Sequence, residues 1–333
     1  MADINDILGN ERVKEHFIAA VHHKKISHAY IIEGDKGSGK KMLASAFSKI
    51  LQCETRQKTE EERACNQCES CIQMENKDHP DVIWVSHEKA GVISVGEIRE
   101  QVVNTVDIMP YKGPYKIYII DEAEKMTIQA QNALLKTIEE PPAYAVILLL
   151  ANNNTGLLPT ITSRCVTLNF KPVRDEVIRK YLMEELHVPD YQADVSVAFA
   201  QGNVGKAKQI ATAEDFTEMM DAAFRILRRG SDMEVYEMVD ALKNLSEQKH
   251  TIYEYLDLFL VWFRDVLLFK ATKEMDSLVF KEEYNFIKER ADKSSYEGLE
   301  TIIKAIETAK ARLQANVNFD LTMELLFLTI REN

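Results

Sequence analysis

The sequence predicts an α/β protein with a parallel sheet in its first half and an all-α second half. Three observations predict it. Apolar strand-like runs alternate with helical patterns as far as about residue 170, the alternation that builds a parallel sheet with crossover helices. A glycine-rich loop joins the first strand to the helix that follows it. After Lys171-Pro172 no strand pattern recurs, and helical periodicity runs to the C-terminus.

Taken in order, the strand candidates are Ala29–Glu33, Val82–Val85, Ile117–Ile120, Ala145–Leu150 and Val166–Phe170. Helices fit between them. Lys40–Leu51 carries Met42, Leu43, Ala46, Phe47, Ile50 and Leu51 at helical spacing. A second helix is expected over Gly96–Val106. A third, Ile128–Glu139, ends at Pro141-Pro142, which cannot continue a helix. Beyond the sheet, a short helical module is expected from about Arg174 to Ala211. A longer one follows, containing Ile252–Phe269, which is apolar almost all round and should therefore be buried among neighbours. The expected domains are residues 1–170, 171–211 and 212–333. Neither internal repeats nor low-complexity segments interrupt them.

Length and composition set the outer bounds. At 333 residues the chain has room for two or three domains, and 46% hydrophobic residues rule out wholesale disorder. The longest aliphatic run, Ala145 to Ala151, falls far short of the roughly 20 residues that span a bilayer. The opening Met1-Ala2-Asp3-Ile4-Asn5-Asp6 has no basic and apolar leader, so a cytoplasmic protein without a membrane role is expected. The net charge is −12, whereas a chain that held DNA over a broad face by itself would be basic. Any contact with DNA is therefore expected to be shared with partner chains.

Four of the five cysteines lie close together, as Cys53-x11-Cys65-x2-Cys68-x2-Cys71. In a reducing compartment these are not a disulfide framework. Four thiolates at this spacing can close a tetrahedral shell around Zn2+, and such a shell leaves no open position for chemistry, so the expected role is structural. Buried free cysteines are the alternative. The charged linker Glu54 to Ala64 cannot form a core, and a metal would be the main thing ordering it. Cys165 stands alone after an apolar stretch and reads as packing.

The strongest chemical signal is Gly34-Asp35-Lys36-Gly37-Ser38-Gly39-Lys40-Lys41, placed between the strand Ala29–Glu33 and a helix, as a phosphate-binding P-loop must be. Gly34, Gly37 and Gly39 let the loop curl so that backbone N–H groups face phosphate oxygens at a helix N-terminus. Lys40 would reach the β- and γ-phosphates. At the eighth position the pattern places Ser or Thr, whose hydroxyl ligates Mg2+. Lys41 stands there instead, and an ammonium has no lone pair for a metal. Impaired or absent hydrolysis is expected, Mg2+ is doubtful, and binding of ATP or ADP is left open. The alternative is that Lys41 swings out and water replaces the hydroxyl. Ile117–Ile120 ends in Asp121-Glu122, positioned for the Mg2+ shell and the attacking water; two solvated acids are the plainer reading. Asn152-Asn153-Asn154 follows another strand, and Asn153 is the amide expected near a γ-phosphate, with an asparagine-rich turn cap as the alternative.

These residues together resemble the AAA+ clamp-loader ATPases. The resemblance rests on Asp121-Glu122-Ala123-Glu124-Lys125-Met126, on the stretch from Asn132 to Pro142 (NALLKTIEEPP), on Leu158 to Cys165 (LPTITSRC), on the cysteine module, and on His79-Pro80-Asp81. Near the end, Asn316-Val317-Asn318 with Leu321 and Glu324 is similar to the family's collar segment. The match covers essentially the whole chain. It implies an AAA+ P-loop core with an inserted zinc module (1–170), a small helical lid (171–211) and a C-terminal helical collar (212–333). It also implies membership of a five-subunit ring that opens a sliding clamp and places it on primed DNA, with tau/gamma-type motor subunits and a delta subunit as partners.

In that family the arginine of Ser-Arg-Cys enters the ATP site of a neighbouring subunit; here it is Arg164, with a loop-closing salt bridge as the alternative. The family's lid motif resembles Gly202-Asn203-Val204-Gly205-Lys206, which makes Lys206 a candidate for a basic residue over the phosphates. Two readings follow. A non-motor subunit braces the ring and lends Arg164 to its neighbour; an ATP-hydrolysing motor of the tau/gamma type would use its own site. Lys41 favours the first, and the end at Asn333, soon after the collar segment, is expected of it. A stand-alone enzyme such as a nucleotide kinase would need a phosphate-acceptor site, and none is legible.

Overall fold

A computed structural model of the chain describes residues 3–59, 63–87, 91–213, 216–230, 243, 245, 251–315 and 317–333. These form two compact units. The first holds residues up to Ile178 together with Gly202–Gly205, and the second holds Arg179–Gln201 and Lys206–Asn333.

The first unit is built on five parallel strands: β1 (Ala29–Glu33), β2 (Val82–Trp84), β3 (Lys116–Ile120), β4 (Ala145–Ala151) and β5 (Val166–Asn169), in the order β2-β3-β4-β1-β5. Register is fixed by Ala29↔Ile147, Tyr30↔Val166, Tyr118↔Ile147 and Val82↔Ile117. All five strands lie within a residue of the expected spans. The inner ones read as unbroken apolar runs because both faces of the sheet are covered. Alternate residues serve opposite cores. Tyr30, Ile32, Ile119, Leu148 and Leu150 pack with Leu43 and Phe47, while Ile31, Tyr118, Ile120, Ile147 and Leu149 pack with Ile98 and Leu134.

The helices of this unit are α1 (Glu11–His22), α2 (Lys40–Gln52), α3 (Glu54–Thr59), α4 (Glu69–Asn76), α5 (Val95–Ile98, continued by a π-type turn over Arg99–Val103), α6 (Ile128–Glu139) and α7 (Pro159–Thr162). The expected helix over Gly96–Val106 is thus wound wider in its second half. Of the charged linker, residues 54–59 are helical and 60–62 lie outside the described residues.

Two helices carry the chain between the units, α8 (Asp175–Glu184) and α10 (Val204–Thr212), with α9 (Asp190–Ala200) between them. The second unit continues with α11 (Phe216–Arg229), α12 (Ile252–Thr272), α13 (Tyr284–Lys293), α14 (Tyr296–Gln314) and α15 (Phe319–Glu332). Among the described residues no strand follows Asn169. α12 is buried over most of its surface, its Leu256, Phe259, Trp262 and Val266 packed in one core with Phe224, Ile302, Ile306 and Phe327, while Tyr253 and Arg264 reach solvent. Of the expected collar segment, Asn316 lies outside the described residues, as do 214–215, 231–242, 244 and 246–250 of the same module. Asn318 caps α15 by accepting the Leu321 N–H at 3.0 Å.

Candidate functional site

The phosphate-loop sequence forms the turn its glycines require. Gly37 and Gly39 have φ of +90° and +106°, a region that L side chains avoid, and Gly39 directly caps α2. The loop leaves β1 through two backbone bonds, Gly34 N–H to Ala151 O (3.1 Å) and Phe170 N–H to Glu33 O (2.7 Å). It therefore stands at the carboxyl end of the sheet, where open α/β sheets place ligands. Ser38 Oγ is buried in the loop and has no hydrogen-bond partner among the described residues.

Lys40 is almost wholly buried. Its ammonium donates to Gly34 O, to Asp35 O at 2.9 Å and to Asn152 Oδ1 at 3.2 Å. Burial pulls its pKa below the usual lysine value, and the carboxylates of Asp121, Glu124 and Asp35 act in the opposite direction. Asn152 is itself oriented by Glu124, which accepts from Asn152 Nδ2 at 2.7 Å and from its backbone N–H at 3.2 Å.

The expected amide, Asn153, is elsewhere: its Oδ1 accepts from Thr155 Oγ1 at 2.6 Å. Asn152 and Glu124 are thus the residues that sequence reasoning missed. Strand parity held the signal for the first. Leu148 and Leu150 share their core with α2, so Asn152, the next residue in that alternation, falls on the same side as the helix bearing Lys40.

The two acids at the end of β3 are both engaged. Lys41 Nζ lies 2.5 Å from Asp121 Oδ2. Glu122 sits in the left-handed region at φ +51° and pairs with Lys125 at 2.7 Å. The hydrogen bond from Lys125 holds the Glu122 carboxyl below the usual carboxylate range, which makes it a weaker base. Across the loop, the segment Gly202–Gly205 is fastened to it. Gly205 N–H donates to Gly37 O at 3.0 Å and Asn203 Nδ2 to Lys36 O at 2.7 Å. Lys206 belongs to the second unit and pairs with Asp257, which also takes Lys310.

Arg164 stands at the other end of the sheet. It precedes edge strand β5, whose Val166 faces Tyr30 at the start of β1, whereas the phosphate loop follows the end of β1. The four-residue strand β5, about 13 Å of extended chain, lies between Arg164 and Phe170. The guanidinium is half-exposed. Its Nε lies 2.9 Å from Glu139 Oε1, and Nη1 donates to Thr160 O at 3.0 Å and to Ser163 Oγ at 3.3 Å.

The four cysteines converge, with all Sγ atoms within 4.8 Å of one another. A tetrahedral shell with Zn–S bonds of about 2.3 Å needs sulfurs roughly 3.8 Å apart, so this cluster could hold a metal such as zinc with little adjustment. Local structure explains the convergence. Cys53 ends α2, Cys68 caps α4 and Cys71 lies in its first turn. Backbone donors already face the sulfurs: Cys65 N–H to Cys53 Sγ (3.3 Å), and Gln67 and Cys68 N–H to Cys65 Sγ (3.5 and 3.3 Å). Burial pushes the Cys53 and Cys71 thiols up. Burial acts the same way on Cys65, but hydrogen bonds from Thr55 and from the backbone of Gln67 and Cys68 outweigh it and bring that thiol down to about 6. Cys165, the fifth, has its thiol pushed up to about 12 by burial.

His79-Pro80-Asp81 braces the neighbouring loop. Asp81 accepts the backbone N–H groups of Tyr111 (2.6 Å), Lys112 (2.8 Å) and Gly113 (2.9 Å). Burial works against its ionisation, but these three donors hold its carboxyl below the usual range. Lys112 then reaches Glu54 and Glu69 beside the cysteines, at 3.4 and 2.7 Å.

Comparison with known proteins matches residues 9–174 to the family described as DNA polymerase III, delta subunit, and residues 231–332 to that described as DNA polymerase III, delta subunit, C terminal. The chain is 29% identical to DNA polymerase III subunit delta' of Bacillus subtilis (strain 168), over 96% of each protein. It is 28% identical to DNA polymerase III subunit tau of the same organism, over 83% of this chain but only 52% of tau, so the chain spans about half of that relative. Among solved structures, a DNA polymerase III gamma subunit-related protein from Thermotoga maritima aligns with a TM-score of 0.47 at 19% identity, over 96% of this chain and 98% of that one. No described helix is long and apolar enough to cross a membrane.

Proposed function

We propose a role from one premise: this chain belongs to the DNA polymerase III clamp-loader subunit family. The role is that of a delta-prime-type subunit, a non-motor member of a cytoplasmic five-subunit AAA+ ring that places the sliding clamp on primed DNA. Its neighbours are tau/gamma-type motors and a delta subunit, and its contact with clamp and DNA runs through the assembly. In this reading residues 1–170 are the AAA+ core, 171–211 the lid and 212–333 the collar. The exposed stripe Leu321, Leu325 and Leu328 on α15 is the collar face that meets other subunits.

The observation that carries the non-motor reading is the Lys41–Asp121 ion pair. It occupies both protein positions that a hydrolytic site devotes to Mg2+. Glu122, tied to Lys125, is poorly placed to polarise a water. The motor reading requires all three to be free. The loop itself suits phosphate, with its curled glycines, the buried Lys40 and the orphaned Ser38 hydroxyl. A nucleotide there would serve binding rather than turnover. Zinc held by Cys53, Cys65, Cys68 and Cys71 would supply four bonds that close the chain between α2 and α4.

Arg164 acts in trans. It lies at the opposite end of the sheet from its own phosphate loop, beyond the length of edge strand β5, about 13 Å. Its bridge to Glu139 is half-exposed on both sides, worth about 0–1 kcal/mol, so exchanging it for a neighbour's phosphate costs little. There the guanidinium stabilises charge spreading over phosphoryl oxygens, an effect of about 10³–10⁵ in rate where such fingers have been measured.

The test is a ring reconstituted from motor, delta and this chain. Arg164→Ala should leave the chain folded and able to assemble, while ATP turnover falls at one site of the ring and clamp loading slows. Arg164→Lys should rescue little, because an ammonium lacks the planar fork. Unchanged turnover and loading with Arg164→Ala would assign Arg164 to loop closure alone.

A further inference from the structure

We infer that the Lys41–Asp121 ion pair stands in place of the divalent cation, so that this site takes a nucleoside di- or triphosphate free of metal and gains nothing from Mg2+. The inference rests on the nucleotide-binding part of the reading above and adds the ionic form of the ligand.

Three observations carry it. Lys41 is the second residue of α2, the position from which a Ser or Thr hydroxyl would reach the metal, and its ammonium instead sits 2.5 Å from Asp121 Oδ2. An ammonium offers three donors and no lone pair, so it can bond phosphate oxygens but not a cation. The second acid, Glu122, is held by Lys125 at 2.7 Å and is also influenced by the nearby charges of Lys36 and Lys41. The protein groups that elsewhere draw a divalent ion to a phosphate chain are therefore neutralised by side chains of the same unit.

The remaining charges point the same way. Lys36, Lys40 and Lys41 lie on eight consecutive residues with one acid, Asp35. Lys40 is buried against loop carbonyls, and Lys41 is largely exposed on its outer side, open to solvent and to an incoming anion. A metal-free phosphate chain carries two more negative charges than its Mg2+ complex. It gains correspondingly more from fixed ammonium groups, and it brings no cation to be repelled by Lys41.

The experiment measures dissociation constants of the full-length chain for ADP and for a non-hydrolysable ATP analogue, in excess Mg2+ and in excess EDTA. It compares wild type with Lys41→Thr, and adds Mn2+ paramagnetic resonance in the presence of nucleotide. Wild type should bind equally well in EDTA, or better, and show no protein-bound Mn2+. Lys41→Thr should acquire a preference for Mg2+ of about tenfold or more, together with a bound Mn2+ signal.

Wild-type binding that tightens tenfold in Mg2+ would overturn the inference while leaving nucleotide binding intact. So would a Lys41→Thr variant indifferent to metal. Binding by Lys41→Thr but not by wild type would show that Lys41 blocks the site rather than completing it. If neither protein binds under any condition, the nucleotide reading falls and the inference falls with it.

Discussion

Asp265 offers a sharp test of the energetics of the second unit. It lies in α12, fully buried, where Oδ2 accepts the backbone N–H groups of Val279 (2.9 Å) and Phe280 (2.9 Å) while Oδ1 has no partner among the described residues. Burial pushes its carboxyl up to about 6, against the two hydrogen bonds and the charge of Arg264. The folded pKa is thus above the unfolded value of about 3.9, so the folded state holds its proton longer. Stability is unaffected below the unfolded pKa, declines as pH rises between the two values, and stays reduced above the folded one.

A shift of roughly two units corresponds to about 3 kcal/mol in full, and about 1.5 kcal/mol of it falls between pH 5 and pH 8. Asp265→Asn removes the titration but buries an unpaired amide donor, at a cost of about 1–3 kcal/mol independent of pH. The variant should therefore gain about 1.5 kcal/mol on wild type between pH 5 and pH 8, ending close to or above it at pH 8. Urea unfolding followed through Trp262, in a Trp84→Phe background, would read the difference between the two proteins at each pH. A difference that stays constant from pH 5 to pH 8 would refute the assignment of a proton to Asp265.

Two further expectations concern the first unit. In Gly205→Ala the new Cβ would lie 2.5 Å from Gly37 O and 2.8 Å from Gly37 Cα, so the segment must lift off the loop. The loss, from crowding and from the Gly205–Gly37 hydrogen bond, is about 2–4 kcal/mol, and amide exchange at Gly205 should quicken. Unaltered exchange and an unaltered denaturation midpoint would contradict it. Metal analysis of protein purified under reducing conditions should give about one zinc per chain, and chelation should open residues 53–76 to proteolysis. Four thiols that titrate freely in the folded, protease-resistant protein would count against a metal.

The inner sheet was legible because its strands are buried on both sides. Such strands appear as uninterrupted apolar runs, and β3 and β4 begin and end within a residue of those runs, whereas edge strand β5 alternates half-buried Val166 and Leu168 with exposed Thr167 and Asn169. α12 was legible as a long stretch that is apolar almost all round. The cysteine cluster needed only spacing, since two x2 steps at the start of a helix leave the thiols few directions to face. The end of β4 needed one step more: parity along the strand selects Asn152 over Asn153, but an Asn triplet hides it unless the core side is already known.

What did not show in the sequence is how the long charged side chains choose partners. Motif spacing names Lys41, Asp121 and Glu122 as candidate site residues, and the family resemblance adds Arg164 and Lys206; the fold gives each a counter-ion. These pairings are not equivalent. Arg164 and Glu139 are both about half-exposed and joined by little energy, so the bridge can be exchanged for a stronger anion. Asp257 is mostly enclosed and holds Lys206 and Lys310 together, so freeing Lys206 leaves the carboxylate to Lys310 alone and a charge pair half dismantled in a poorly hydrated place. On this ground Arg164 is the residue able to leave its partner for a ligand, and Lys206 the one bound to the architecture of its own unit. Lys41 falls between them. Its head is exposed but its partner is the acid that a metal would need, so any ligand that enters must accept the pair as it stands or break it.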